Sequence, residues 1–350
     1  MAGSNFDAAV FGSPQNVYYF TGYWTHWARQ SALILFSDGR TVLYSPNSAA
    51  EGAAVDDARS FEASWFSTMR QEQAMAVAAQ LVEVLHDGKA KKIGVDASAV
   101  ASQLLLANLF KATPVDTQMY QQRRVKDADE LALMQKAIGA TEAMYARAKQ
   151  IIEPGVDELH VFNELQSTAN TFLGEPMTAL LGNDFACGVG GGTPRPDRKA
   201  QAGELYILDL GPCYRGYFAD NCRAFSVDRK PSDAQIKAQQ ALVGALKLVE
   251  QIAKPGVKCV DIFNAVDEHF PQALGGHKQV HHLGHGVGLS PHEFPHLNPK
   301  WNDTLLAGEV FTAEPGVYGD ELRGGIRLEN QYLVTPTGVK NLLNFPLDLV

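Results

Sequence analysis

QIIEPGVDELHVFN at residues 150–163 and QIAKPGVKCVDIFN at residues 251–264 agree at seven of fourteen positions, with a constant offset of 101. Each stretch leaves a long segment of helical character, residues 127–150 before the first and 233–251 before the second. Each then meets a helix-stopping pair, Pro154-Gly155 or Pro255-Gly256, and re-enters a helix that carries Phe-Asn at the same place. This pattern marks an internal duplication. Two copies are too few for a solenoid, so they predict one pseudo-twofold domain with a crevice between its halves.

Upstream of the duplication the pattern is α/β. Strands are expected at residues 7–11, 17–20, 32–36, 41–44 and 92–96, and helices at 71–85 and 99–110, the second capped by Ser98. Alternating strands and helices predict a small mixed sheet with helices on its faces. The aromatic cluster Tyr18, Tyr19, Tyr23, Trp24, His26 and Trp27 reads as core and interface packing.

The chain has 350 residues. A single core stops growing near about 250–300 residues, so two domains are expected, 1–118 and 119–350. With 45% hydrophobic and 20% charged residues the chain is globular rather than disordered. Lys and Arg number 30 against 39 Asp and Glu, and the net charge of −9 argues against nucleic-acid or anionic-membrane partners. No apolar run approaches the roughly 18 residues of a membrane span. Residues 1–13 lack the basic and apolar regions of a secretory signal, which predicts a cytoplasmic protein. Its four cysteines form no C-x-x-C pair and read as structural thiols.

Two hairpins gather carboxylates. Folding residues 206–227 about Tyr214/Arg215 sets Asp209 opposite Asp220, and folding 310–334 about Glu321/Leu322 sets Glu314 opposite Glu329. Opposed residues share a face about 4.5–5.5 Å apart. Like charges so placed destabilise a sheet, and burying them costs several kcal/mol per ion unless a cation compensates. Between the hairpins lies HHLGHGVG, residues 281–288, whose glycines free the imidazole of His285 for close approach to a metal. Four carboxylates and an imidazole make a hard, oxygen-rich set suited to Mn²⁺ or Co²⁺, and their charge suits two ions.

Two motifs point elsewhere. His292-Glu293-Phe294-Pro295-His296 matches H-E-x-x-H, but that zinc-protease motif works on a helix, and Pro295 makes this segment a loop. Residues 188–193 are glycine-rich without the Gly-Lys-Ser/Thr ending of a phosphate loop. Cys213 and Cys222 read as packing residues beside the aspartates.

ILDLG with Asp209, ADNCRAF with Asp220, HHLGHGVG with His285, FTAEPGVY with Glu314 and GIRLEN with Glu329 together resemble the pita-bread metallopeptidases: methionine aminopeptidase, aminopeptidase P and prolidase. The likeness covers about residues 120–350, and the first 120 residues look like the smaller creatinase-type N-terminal domain. The resemblance implies an α+β pita-bread catalytic domain that binds two divalent metal ions, Mn preferred and Co or Zn accepted. Glu329 and Asp220 would bridge the ions, Asp209 would bind one, and His285 and Glu314 the other. Glu314 would also handle the proton of the attacking water. His292 matches a substrate-contacting histidine, His281 a second active-site histidine, and Arg327 a partner of the carboxylates.

The implied reaction is hydrolysis of the Xaa-Pro amide bond in a proline-containing dipeptide or short peptide, by a homodimer. A dipeptidase needs a donor for the substrate carboxylate. His296 occupies the slot that is basic in compact prolidases, and Arg195 or Arg323 are alternatives. The family usually carries another pocket histidine at the position of Gly192, which leaves one substrate contact absent or supplied differently. An aminopeptidase P acting on longer peptides is the alternative. A non-catalytic peptide-binding module is the remote one, since such relatives lose metal ligands that this chain keeps.

Overall fold

The computed structural model describes residues 6–179, 184–274 and 278–350, so part of the 1–13 segment lies outside the described residues. The chain divides into two compact units, Met1–Gln122 and Arg123–Val350.

The first unit is built on a six-stranded sheet in the order Asp57–Phe61, Thr41–Pro46, Ala32–Phe36, Ala8–Phe11, Lys92–Val95, Lys111–Pro114. Ala8–Phe11 runs antiparallel to Ala32–Phe36 and parallel to Lys92–Val95, so the sheet is mixed, as expected. Its faces carry two apolar clusters, one around Val10, Ile34 and Leu81 and one around Phe11, Leu33 and Leu43. One expected strand is a helix. Residues 17–20 lie in Pro14–Thr21, where the Ser13 hydroxyl accepts the Asn16 N–H and Pro14 opens the first turn. That start signal outweighs the strand propensity of the Val-Tyr-Tyr-Phe run.

In the second unit, helices Ala128–Ile151 and Glu158–Leu173 form one pair, and Asp233–Ile252 and Cys259–Leu274 the other. The first helix of each pair opens on a capping box, Asp127 with Glu130 and Ser232 with Gln235. The duplicated turns share backbone conformation and hydrogen bonding. Gly155 and Gly256 take φ of +94° and +88°, and their N–H groups donate to Ala200 O and Leu305 O at 2.7 and 2.9 Å.

Each half then presents three strands in the same order. Leu205–Leu210 lies between Asn221–Ser226 and Phe185–Cys187, as Val310–Ala313 lies between Asn330–Val334 and Gly284–Gly286. Strand alternation divides the core. Tyr206, Leu208 and Leu210 pack against the first helix pair, whereas Leu205 and Ile207 join Cys222, Ala224, Phe311 and Tyr332 beneath the second. Asp209 therefore shares the face that looks toward the second half.

Candidate metal centre and active site

The two hairpins set the site. In the first, the turn lies at Arg215-Gly216, with φ of +46° and +87°, a two-residue loop that needs left-handed backbone at both positions. That is one residue later than the sequence expectation. Asp209 pairs with Cys222, and Asp220 is its diagonal rather than its direct neighbour. The error is an even number of residues, so both aspartates keep one face. In the second, Val310↔Leu333 and Gly316↔Arg327 share one register, in which Glu314 is opposite Glu329 as expected.

His285 is the central residue of Gly284–Gly286. A Cβ at Gly284 would lie 1.9 Å from Thr312 O, and one at Gly286 1.9 Å from Phe294 O. The glycines therefore admit the neighbouring strands, rather than clearing space for a metal. The His285 Nδ1–H donates to Gly286 O at 3.0 Å. Nε2 is left to face Glu314 at 3.5 Å and Asp220 at 3.7 Å. Burial holds the His285 pKa down at about 3, so the ring is neutral and its Nε2 lone pair is free to ligate.

A cavity of about 200 Å³ is lined by Asp209, Asp220, His281, His285, His292, Glu314, Arg327 and Glu329, all named from sequence, and by His282, which was not. His282 Nε2 lies 2.7 Å from Glu314 Oε1. Two further residues missed from sequence support the site. Tyr318 accepts a hydrogen bond from Arg327 Nη1 at 3.0 Å and donates to His281 Nε2 at 3.0 Å. Asp184 shares the Arg327 guanidinium with Asp209, whose Oδ2 lies 2.7 Å from Nη2. His292 is exposed, and its ring stacks on His285 with centroids 3.6 Å apart.

His296 is not among the lining residues. Its ring stacks on Trp301 at 4.9 Å, although its backbone pairs with His285. Residues 293–297 form a strand rather than the expected loop, and not the helix that H-E-x-x-H requires. The alternative carboxylate donors are occupied. Arg195 grips the buried Glu158 at 2.6 Å, and Arg323 donates to Ala202 O at 2.8 Å. Gly192 N–H donates to Asp184 Oδ1 at 2.7 Å.

Whether this set fits a cation is decided by Glu329. It is 1% exposed, and neither carboxylate oxygen has a hydrogen-bond partner. Burial, then Asp220, Asp209 and Glu314, push its pKa well up. Asp220 is raised likewise by burial and by Asp209 and Glu314. Burial would raise Glu314 too, but His282, His285 and Arg327 outweigh it and hold its pKa at about 2. Ligand atoms of Asp220, His285 and Glu329 lie within 4.8 Å of one another. A buried carboxylate without donors, among other carboxylates and a neutral imidazole, is a site built for positive charge, and divalent cations fit it.

The comparisons agree with this chemistry. Residues 132–336 match the model of metallopeptidase family M24, and residues 1–125 that of the creatinase/prolidase N-terminal domain. An uncharacterized peptidase of Staphylococcus aureus is 30% identical over 97% of this chain and 95% of its own length. Among solved structures, an X-Pro aminopeptidase from Thermotoga maritima aligns with a TM-score of 0.82 at 23% identity, covering 98% of this chain and 97% of its own. A dipeptidase from Mycobacterium ulcerans aligns with a TM-score of 0.75 at 26% identity, covering 98% and 92%. The chain belongs to metallopeptidase family M24 and carries the creatinase-type N-terminal domain. It is a peptidase of the pita-bread fold, and its family implies divalent metal ions as cofactor. Among the described residues no helix is long and apolar enough to cross a membrane.

Proposed function

We propose that this peptidase hydrolyses the amide bond between an N-terminal residue and proline, with dipeptides as its main substrates and two divalent cations, manganese preferred, as cofactor. The observation that carries the reading is Glu329, fully buried with both oxygens unpartnered beside Asp220 and His285. Asp209, Asp220, His285, Glu314 and Glu329 would hold the ions. When bound, the ions acidify water at neutral pH and polarise the scissile carbonyl.

The chain's own residues do the rest. Glu314 carries the proton from the attacking water toward the leaving imino group. His292 hydrogen-bonds the amide region and stabilises the developing oxyanion, while His281, whose ring nitrogens are taken by His282 O and the Tyr318 hydroxyl, flanks the amide region from the same lining. Support for this is that both rings line the cavity of the carboxylates. Arg327 holds Asp209 in place while its charge offsets the carboxylate cluster. The enzyme acts in the cytoplasm, and it works as a homodimer formed through residues 1–118, the dimer being supported by the 86% exposure of Trp27.

One observation favours a second reading, an aminopeptidase P acting on longer peptides. The dipeptidase needs a donor for the substrate carboxylate, and His296, Arg195 and Arg323 are all engaged away from the cavity lining. Hydrolysis rates for alanyl-proline and for an alanyl-proline tripeptide, with Mn²⁺ added, separate the two. A preference for the dipeptide is expected; a preference for the tripeptide establishes the aminopeptidase, and cleavage of neither overturns both.

A further inference from the structure

The glutamate of the H-E-x-x-H match is buried behind two cations. Glu293 is 4% exposed. Its Oε1 lies 3.0 Å from Arg123 Nη2 and accepts the Ser290 N–H at 3.1 Å, while Oε2 lies 3.3 Å from Lys126 Nζ. Arg123 and Lys126 are themselves buried, and Lys126 Nζ also donates to Arg123 O at 2.7 Å. Shut away in this manner, Glu293 has no access to substrate water.

What it does reach is the turn that bears His292. The chain leaves Gly286 and returns at Glu293, directly opposite Gly286 in the register. Within the turn, a Cβ at Gly288 would lie 2.7 Å from Glu293 Oε2 and 2.9 Å from Lys126 Nζ, so the backbone is wrapped tightly on the ion cluster. Gly288 O accepts the Phe218 N–H at 2.9 Å, which ties the same turn to the segment leading into Asp220. The ring of His292 leaves this turn one residue before Glu293 and lies within 14° of parallel to His285.

A buried carboxylate between two buried cations is costly to assemble, and apolar residues would hold a turn more cheaply. Rigid support beneath a reacting group is the usual return on such an arrangement. We infer that Glu293 is a positioning residue: clamped by Arg123 and Lys126, its carboxylate sets the 287–292 turn and, through it, the ring of His292. The inference rests on the proposed role of His292 at the scissile amide.

A double-mutant cycle on alanyl-proline hydrolysis with Mn²⁺ tests it, using His292→Ala, Glu293→Gln and the double variant, each with its metal content measured. Glu293→Gln should lower kcat/KM by about ten- to a hundredfold at wild-type metal content. In the His292→Ala background the same substitution should change kcat/KM by less than about twofold. Losses that multiply, or a fully active Glu293→Gln enzyme beside an impaired His292→Ala enzyme, would overturn the clamp alone. A fully active His292→Ala enzyme would overturn the role given to His292 and this inference with it. Should Glu293→Gln not fold, Lys126→Met, which leaves Arg123 on Glu293, takes its place in the same cycle with a smaller loss expected and the same criteria.

Discussion

Glu314 and Glu329 stand opposite each other in a register shared by the strands on either side, yet neither joins that ladder. The Glu314 N–H donates to Leu283 O at 2.7 Å and the Glu329 N–H to Cys222 O at 3.0 Å. Cys222 is the strand partner of Asp209, so the second hairpin opens where its carboxylates are needed and its backbone bonds across to the first half. The duplicated domain thereby delivers two carboxylates from each half to one cavity.

Arg327 is the cation that answers this cluster within the protein. Its Nη2 serves Asp209 and Asp184, and its Nε lies 3.7 Å from Glu314. Arg327→Lys keeps the charge and loses the fork that reaches these partners. Manganese affinity should fall by about ten- to a hundredfold, read from activity against free Mn²⁺. An unchanged metal titration would contradict the role given to Arg327.

The strands beside His285 leave no space for side chains at its neighbours. Gly284→Ala would drive a methyl into Thr312 O, a backbone atom that cannot turn aside. The expected cost is about 1–3 kcal/mol, seen as a lower unfolding midpoint, with loss of activity. A variant with wild-type midpoint and turnover would show that this strand has freedom the packing denies it.

Much of this was legible in the sequence, for reasons that can be named. The Pro-Gly-Val duplication predicted the paired helices because the turn demands a left-handed glycine in both copies. The Glu314–Glu329 register followed from counting about the turn centre. For Asp209 and Asp220 the same counting failed by two, since Arg215 adopts a backbone conformation its identity does not advertise. His282 was passed over because neighbouring histidines in irregular chain give no clue to which faces inward. Asp184 belongs to no motif and reaches Arg327 through tertiary packing alone.

Acid should weaken the first half through Glu158. This fully buried carboxylate accepts hydrogen bonds from the Arg195 guanidinium and from the Arg195 and Cys187 N–H groups. Burial alone would raise its pKa, but these donors outweigh burial and lower it below its ordinary 4.5. A lowered folded-state pKa stabilises the fold above the unfolded value, and that contribution is lost as pH falls through the folded value. Glu158→Gln should therefore unfold at lower temperature at pH 7, and its midpoint should fall less than the wild type's below about pH 4.5. Parallel pH dependences would contradict the assignment.

A His296 variant separates the two substrate readings. If its imidazole turns from Trp301 to the proline carboxylate, His296→Ala should lower kcat/KM for alanyl-proline by roughly ten- to a hundredfold, with a much smaller loss for the tripeptide. An equal loss for both would assign His296 to packing against Trp301 and favour the aminopeptidase.

The most direct measurement is the divalent metal content of the purified protein, taken with turnover, for the wild type and for Glu329→Gln. The wild type should bind two equivalents of Mn²⁺ per chain, lose all activity to a chelator and regain it with Mn²⁺ or Co²⁺. Glu329→Gln should bind less metal and stay inactive at any added Mn²⁺ concentration. Full turnover by wild-type protein shown to be metal-free, or by Glu329→Gln, would contradict a two-metal hydrolase centred on the buried carboxylates.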